Sequence, residues 1–454
     1  MSRFSIGGFH VVAASVAKVV VKTKRADISI GLERYDLAVI GAGIFGLASA
    51  YHYVRRAGGK VVVIDSFSGP GQGNTGRSVG GYRKGIFTSN LNRLLSESTV
   101  AFFEDLQRSG VNLGMHPIGY LILLDAEGLE LNFHAIEAFV KRGNARLLEA
   151  DELSSMVPWM RLKFGGDEEA QLLGLKDIEA AVFSPSSGYL DVEKLVSYYH
   201  RDLLDRGVEF RFGTTVKRLR LNPVTSIGHP REPLAWQAKR VGALETDRGE
   251  ISAENVVVAA GAWVNELLDP LGIDSHVKPK KRQVFSVEAR GELSRFFDVD
   301  GFNGYRSMPM TFIPRGPYVA PRVRERDLWL GFSDDLGRPW GIDFTPEEHF
   351  YYDDIYPMVS KLFPAFRDVR PSSMWAGCYS INTIDENPIV FRVMNLVVAT
   401  GGSGSGVMKA DAIGRAVTSL LLGEEETVLY TGERLPVFWL GVRGRRAEPE
   451  SFVF

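Results

Sequence analysis

The residues in this chain whose types and spacing point most directly to chemistry are Gly41, Gly43 and Gly46, together with Asp65. The glycines form G-x-G-x-x-G within "YDLAVIGAGIFGLASAYHYVRRAGGKVVVID", residues 35 to 65. In such a turn the first glycine permits a tight bend and the second lets a pyrophosphate approach the backbone. The third allows a helix to pack closely on a strand, and the helix N-terminus faces the phosphates. Asp65 closes the next strand, where a carboxylate accepts hydrogen bonds from ribose hydroxyls and disfavours a 2′-phosphate. A bare glycine triplet also fits an ordinary strand-to-helix turn. The apolar strand before it, the helix after it and the acid at the end of the second strand favour a dinucleotide site, and the acid argues against NADP.

Three further stretches separate FAD from NAD. A second glycine loop, Gly401 to Gly406, precedes a helix expected to begin near Val407. A second helix N-terminus suits the electron-rich end of an isoalloxazine, where negative charge develops on reduction. "VVVAAGAW" (256–263) reads as a strand that lines a bound adenosine diphosphate, and "GNTGRSVGGYR" (73–83) as a loop able to reach under a flavin ring. A nicotinamide dehydrogenase needs none of these, so FAD is the expected cofactor.

The elements that must position these residues can be traced along the chain. Leu91, Leu94, Leu95, Phe102 and Leu106 make one apolar helical stripe. "GYLILLD" (119–125) reads as a strand, and two helical patterns follow to about residue 160. A helix is expected after "GYLDV" (188–192), then strands from Val208 and Val216. Strand candidates at 283–288, 317–321 and 328–332 lie in a region rich in β-branched and aromatic residues, and 396–423 repeats the strand, glycine loop and helix of the start. The expected fold is α/β: a Rossmann-type FAD-binding domain interleaved with an α+β, antiparallel-sheet substrate domain. The first is assigned to 35–90, 190–278 and 370–425, the second to 91–189 and 279–369, with an extension at 1–34 and a tail at 426–454.

Composition limits the remaining choices. At 454 residues, 45% hydrophobic and 24% charged, the chain has the make-up of a soluble globular protein with a large core. A net charge of −2 leaves no bulk case for nucleic acid, and "KPKKRQ" (278–283) reads as a solvated loop. Cys378 is the one cysteine, so no intrachain disulfide or cysteine zinc site can form. A reducing compartment, the cytoplasm, is the expected location, with membrane association through a partner as the alternative. The eight histidines show no close metal-ligand pair, no metal is expected, and His52 reads as a helix-surface residue. In the extension, "FSIGGFHVVAASVA" resembles a short signal core with Ser15 and Ala17 placed like a cleavage site. Lys18 follows at once and the run is too short to span a membrane, so a flexible extension or an upstream start is favoured over export. The tail "LPVFWLGVRGRRAEPESFVF" reads as a strand packed on the core, or as an apolar docking surface.

From about 35 to 425 the chain resembles the D-amino-acid oxidase superfamily of FAD-dependent oxidoreductases, close to its sarcosine oxidase and dye-linked proline dehydrogenase branch. The resemblance is carried by "VIGAGIFGLASAYHY", "GNTGRSVGGYR", "SGYLDVEKL", "VVAAGAW", "YVAPR…DLWLGF", "CYSINTIDENPIV" and "ATGGSGSGVMKADAIGRA". It implies oxidation of the C–N bond of an amino acid or amine by hydride transfer to flavin N5. The cofactor contacts it implies are Gly41, Gly43, Ile44, Phe45, Gly46, Asp65 and Ser66, then Gly76, Arg77 and Ser78. By the same resemblance Val216 would meet the adenine, Ala260 and Gly261 would line the diphosphate, and Gly404, Ser405, Gly406, Val407 and Met408 would cover the pyrimidine edge, with Trp263, Gly402 and Ser403 as further cofactor contacts. The resemblance also implies that Arg83 would lie near the flavin face and Tyr379 at the substrate pocket.

The departures from that family are informative. Monomeric sarcosine oxidases tether flavin through a cysteine two residues before this tyrosine, and here that position is Gly377. Cys378 is displaced by one, which turns its side chain to the other face of a strand, so non-covalent FAD and a packed thiol are expected. Trp329 stands where that branch keeps a lysine near N5, a cation that stabilises superoxide; Met408 replaces a second lysine, and Ser333 a histidine. These changes favour a dehydrogenase passing electrons to a quinone, a protein or a dye.

A substrate carboxylate calls for a fixed cation, for which Arg83, Arg322 and Lys409 are candidates; each also reads as a structural or surface charge. Tyr379 and Tyr318, with Trp329, could close the pocket or serve as core aromatics. A secondary amino acid of the proline or sarcosine type is the first expectation and a D-amino acid the second. A non-catalytic FAD-binding subunit of an electron-transfer complex is the rival, and a homo-oligomer or flavoprotein complex fits either.

Overall fold

The computed structural model describes residues 34–302 and 304–452, so the expectations for the N-terminal extension lie outside the described residues. Two eight-stranded sheets organise them. In the first, the order runs 389–393, 396–400, 249–258, 34–40, 61–64 and 209–211, and the central pairs are parallel. An antiparallel meander of 239–246 and 216–223 hangs from Gly249–Val258. The parallel strands carry near-continuous apolar runs because both faces are covered. Leu37 and Val39 face a cluster that includes the helices Ile44–Arg56, Asn90–Arg108, Val192–Asp205 and Ala410–Leu421. Ala38 and Ile40 face the meander side, with Leu219, Val241 and Leu244.

The second sheet runs 373–382, 277–288, 327–332, 318–322, 310–312, 120–124, 180–184 and 146–149. It is antiparallel except where 310–312 meets 120–124. Alternation divides its faces. Phe285, Val287, Leu121, Leu123, Leu328 and Leu330 enter one core. Tyr120, Ile122, Phe312, Tyr318 and Trp329 lie on the other face. The segment 370–425 is shared between the sheets, since 373–382 pairs with 277–288 while 389–400 joins the first sheet.

Two local expectations are corrected. "KPKKRQ" is not a solvated loop but part of the strand Val277–Glu288. Lys280 and Lys281 are buried there because their ammonium groups reach the carbonyls of Asp335 and Arg338 and the carboxylates of Asp343 and Glu347. His52 is not on a helix surface. It is only 7% exposed, and its Nε2 lies 2.7 Å from Asp411 Oδ1, because the helix Ala410–Leu421 packs on its face of Ile44–Arg56. In the tail, Glu426–Val428 pairs with Arg434–Pro436, and Leu435, Val437 and Leu440 enter the first core. Among the described residues no helix is long and apolar enough to cross a membrane.

Candidate active site

The N-terminal glycine turn is forced by sterics. Gly41 has φ +105°, and a Cβ there would sit 2.4 Å from the Ala259 carbonyl oxygen. A Cβ on Gly46 would lie 1.9 Å from the Gly41 oxygen, so only glycine lets Ile44–Arg56 approach its strand this closely. Asp65 closes the second strand; its Oδ2 accepts from Ala42 N at 2.6 Å and its Oδ1 from Phe67 N at 2.9 Å. Burial pushes this carboxyl above its ordinary range, and the two backbone donors oppose that rise.

Beside this turn lies a cavity of about 390 Å³. It brings together Gly41, Gly43, Ile44, Phe45, Asp65, Ser66, Ser78, Val216, Ala260, Gly261 and Trp263 with Tyr379, Gly402, Ser403, Gly404, Gly406 and Val407. The two glycine loops meet at Phe45, whose ring lies 3.6 and 3.5 Å from where Cβ atoms on Gly402 and Gly406 would stand. Trp263 stacks on Phe344 with centroids 5.5 Å apart, and Arg77 covers the other contact of Phe344 at 4.5 Å. The shape and donor set fit FAD: bare glycine backbone at one helix start for phosphate, a second glycine loop leading through the short turn Val407–Lys409 for the ring edge, and a buried acid for ribose.

Other expected contacts stand behind the lining. Gly46 lies at the helix–strand contact, and Gly76 closes its own turn through a 2.7 Å bond to Gly71 O. Arg77 points to Ala376 O at 3.4 Å. Ser405 accepts from the Lys409 ammonium, and the Met408 sulfur accepts from Arg83 N at 3.4 Å. Several lining residues went unselected by sequence reasoning, among them Asn74, Thr75, Thr214, Thr215, Glu266 and Ser380. Asn74 and Thr75 carried a signal, since they sit inside the "GNTGRS" loop. Thr75 Oγ1 accepts from Ile44 N at 3.1 Å, and Asn74 Oδ1 from Cys378 N at 2.7 Å.

Gly377 and Cys378 point to opposite faces. A Cβ on Gly377 would meet Arg77 Cβ at 3.3 Å, whereas Cys378 Sγ lies 3.4 Å from Asp343 O. Burial raises the thiol above its ordinary range.

Tyr379 projects from the second sheet onto Gly404, where a Cβ would lie 2.4 Å from its ring. Around it the same face presents Tyr120, Phe312, Tyr318, Trp329 and Trp375. Tyr120 and Phe312 centroids are 5.1 Å apart, Phe312 and Tyr318 5.9 Å, Trp329 and Trp375 4.9 Å. Burial, and then the neighbouring Tyr379, pushes the Tyr318 phenol far above its usual range.

The three cations take different places. Arg322 is no surface charge: it is 6% exposed, because the strand Tyr318–Arg322 directs it inward between the Tyr189 and Trp329 rings at 3.7 and 4.1 Å. It donates to Val79 O at 2.9 Å. Arg83 lies over Phe87 at 4.2 Å and donates to Phe452 O at 3.4 Å. Lys409 is fully buried, donating to Asn92 Oδ1 at 2.5 Å and Ser405 Oγ at 2.7 Å. Burial, and then the Arg83 charge, lowers its pKa to about 7.

Comparison with known proteins places this geometry. The family model described as "DAO: FAD dependent oxidoreductase" matches residues 36–420. The FAD-dependent oxidoreductase domain-containing protein 1 of Xenopus laevis is 26% identical over 455 residues, covering 90% of this chain and 83% of that protein. The monomeric sarcosine oxidase of Bacillus sp. (strain B-0618) is 23% identical, covering 86% and 92%. Among solved structures, L-proline dehydrogenase from P. horikoshii superposes with a TM-score of 0.69 at 23% identity, over 90% of this chain and 97% of that one.

Proposed function

The chain belongs to the DAO family of FAD-dependent oxidoreductases, and from that premise we propose that it oxidises the C–N bond of an amino acid or amine. A secondary amino acid of the proline or sarcosine type is the favoured substrate, and a quinone, protein or dye the favoured electron acceptor. The observation that carries the reading is the aromatic face of the second sheet, set against the FAD cavity at Tyr379, with Arg83 within electrostatic reach of Tyr120 on that face. Similar proteins named sarcosine oxidase, glycine oxidase and L-proline dehydrogenase support an amine substrate.

Gly41, Gly43 and the N-terminus of Ile44–Arg56 hold the pyrophosphate, Asp65 the ribose, and Gly402 to Val407 the ring edge. Bound FAD supplies a two-electron acceptor for the hydride leaving the substrate carbon. The protein's task is then chiefly positioning. Tyr379, Tyr318, Tyr120 and Trp329 exclude water and fix an apolar amine, while Arg83 offers the charge that a carboxylate requires. The amine must be neutral to react, so turnover rises toward alkaline pH.

Two properties of the wall favour a dehydrogenase. Trp329 fills the place of the oxygen-activating lysine, and the nearby Arg322 spreads its charge over two ring faces. Gly377 supplies no sulfur for a covalent flavin link, and Cys378, although it borders the cavity, turns its Sγ to the Asp343 carbonyl at 3.4 Å, which favours non-covalent FAD.

The test is anaerobic. Proline and N-methylglycine are expected to bleach the flavin, and after photoreduction the protein should reoxidise slowly in air and quickly with a quinone or dye. Bleaching by D-amino acids alone would move the substrate class. Fast reoxidation in air would overturn the dehydrogenase reading, and silence toward every amino acid and amine would point to a non-catalytic FAD subunit.

A further inference from the structure

The C-terminal segment 445–452 lies beyond the part of the chain that matches the family, yet it returns to the site. Arg445 forks onto both oxygens of Asp385 at 2.6 and 2.7 Å, with both side chains buried. Five residues on, Glu450 Oε1 accepts from Thr88 N and Thr88 Oγ1 at 2.8 and 2.5 Å. Its Oε2 accepts from Ser89 N at 3.4 Å and Asn92 Nδ2 at 3.3 Å. Phe452 then packs on Phe139, centroids 5.3 Å apart, while its carbonyl takes the Arg83 bond. The strap is therefore anchored at three points.

Asn92 is the connection inward. It donates to Glu450 through Nδ2 and accepts from Lys409 through Oδ1, and Lys409 in turn donates to Ser405. Ser405 lies between Gly404 and Gly406, both of which line the FAD cavity. A hydrogen-bonded chain thus runs from the Glu450 carboxylate to the second glycine loop. It also answers an electrostatic difficulty. Arg83 and Lys409 are two cations enclosed by protein and close enough to oppose each other, and a buried charge is tolerated only with compensation.

We propose that this strap is a working part of the flavin site: Glu450, acting through Asn92, keeps Lys409 charged behind the Gly401–Gly406 loop, and that charge favours reduced over oxidised flavin. The inference rests on the reading that this loop covers the ring edge. Glu450 and Asn92 are positioning residues. The groups facing Lys409 are Arg83 from the 78–83 loop, Glu450 from the strap, and Asp385 and Glu386 from the turn after Ser373–Asn382. Asn92 and Ser405 complete its surroundings. Burial and Arg83 favour the neutral amine; the three carboxylates favour the cation, and the balance falls near pH 7. Negative charge arriving on the ring tips that balance toward the cation, so above pH 7 reduction draws a proton onto Lys409.

The experiment is the flavin midpoint potential of the FAD-loaded protein between pH 5.5 and 9, by photoreduction against reference dyes, beside wild type, Lys409→Met, Lys409→Arg and Glu450→Gln. No substrate is involved, so the result stands whether or not an amine is oxidised. Wild type should show a potential falling more steeply with pH above about 7 than below it. Lys409→Arg, charged throughout, should lose the bend and keep a high potential; Lys409→Met should lose both. Glu450→Gln should move the bend to lower pH. FAD content and melting temperature identify any variant that fails to fold. If Lys409→Met does not retain FAD, wild type and Lys409→Arg decide between them, because a bend that persists with arginine overturns the proposal. Equal potentials in Lys409→Met and Lys409→Arg would overturn it as well.

Discussion

The two glycine turns, Gly41–Gly46 and Gly401–Gly406, follow parallel strands of one sheet that flank Gly249–Val258 on either side, and they meet at the same ring, Phe45. They solve different problems. The first is a pure backbone surface: Gly41 and Gly46 are pressed against carbonyls, and the helix starts at once at Ile44. The second takes left-handed conformations at Gly401, Ser403 and Gly404 and passes through a short turn, Val407–Lys409, before its helix begins at Ala410. That detour turns Val407 to the cavity, Met408 toward Arg83 and Lys409 into the core. One turn offers shape and dipole; the other adds an aromatic contact and a charge.

The sharpest way to break the contrast is Gly46→Ala. The added Cβ would collide with Gly41 O, and the site has no flexible side chain to move aside. The cost should reach or exceed the ~1–3 kcal/mol of ordinary overpacking, and the purified protein should carry little FAD by absorbance. Gly404→Ala should act on turnover instead. A left-handed alanine costs ~1–2 kcal/mol, and its methyl displaces the Tyr379 ring. FAD should still bind, with kcat/KM down by at least an order of magnitude; loss of FAD with normal turnover per bound flavin would erase the distinction between the loops.

The helices that follow the turns lock to each other through His52 and Asp411, and Asp411 also holds Arg415 at 2.7 Å. His52→Ala should cost about 1–3 kcal/mol for a lost buried hydrogen bond, read by denaturant melts, while leaving the flavin spectrum unchanged. Burial lowers the His52 pKa against the pull of Asp411, so the folded protein disfavours the imidazolium. The unfolded chain takes up that proton more readily, so stability should fall as pH drops below the ordinary histidine range, about 6.5. Histidine removal should flatten that part of the curve. Ser405→Ala should have the smallest effect, about 0.5–1.5 kcal/mol, because Asn92 still holds Lys409.

The contrast between the turns also shows what could be read in advance. Gly41, Gly46 and Asp65 act through backbone geometry that local spacing specifies, and so do the strands and helices around them. The buried lysines of "KPKKRQ", the inward course of Arg322 and the His52–Asp411 pair were misjudged for one reason. Residue type made the lysines and His52 surface groups and left Arg322 open between a site cation and a surface charge, and each is buried because a partner 62, 7 and 359 positions away, Asp343, Trp329 and Asp411, meets it there.

The sequence by itself determined the nucleotide turn, its acid and the FAD chemistry, since a phosphate-binding turn is a short-range steric pattern. Only the tertiary structure decided where the three candidate cations lie and that the C-terminal strap is linked by hydrogen bonds to the second glycine loop. Charges are placed by whichever distant segment can compensate their desolvation, and Glu450 finds Asn92 across 358 positions of chain.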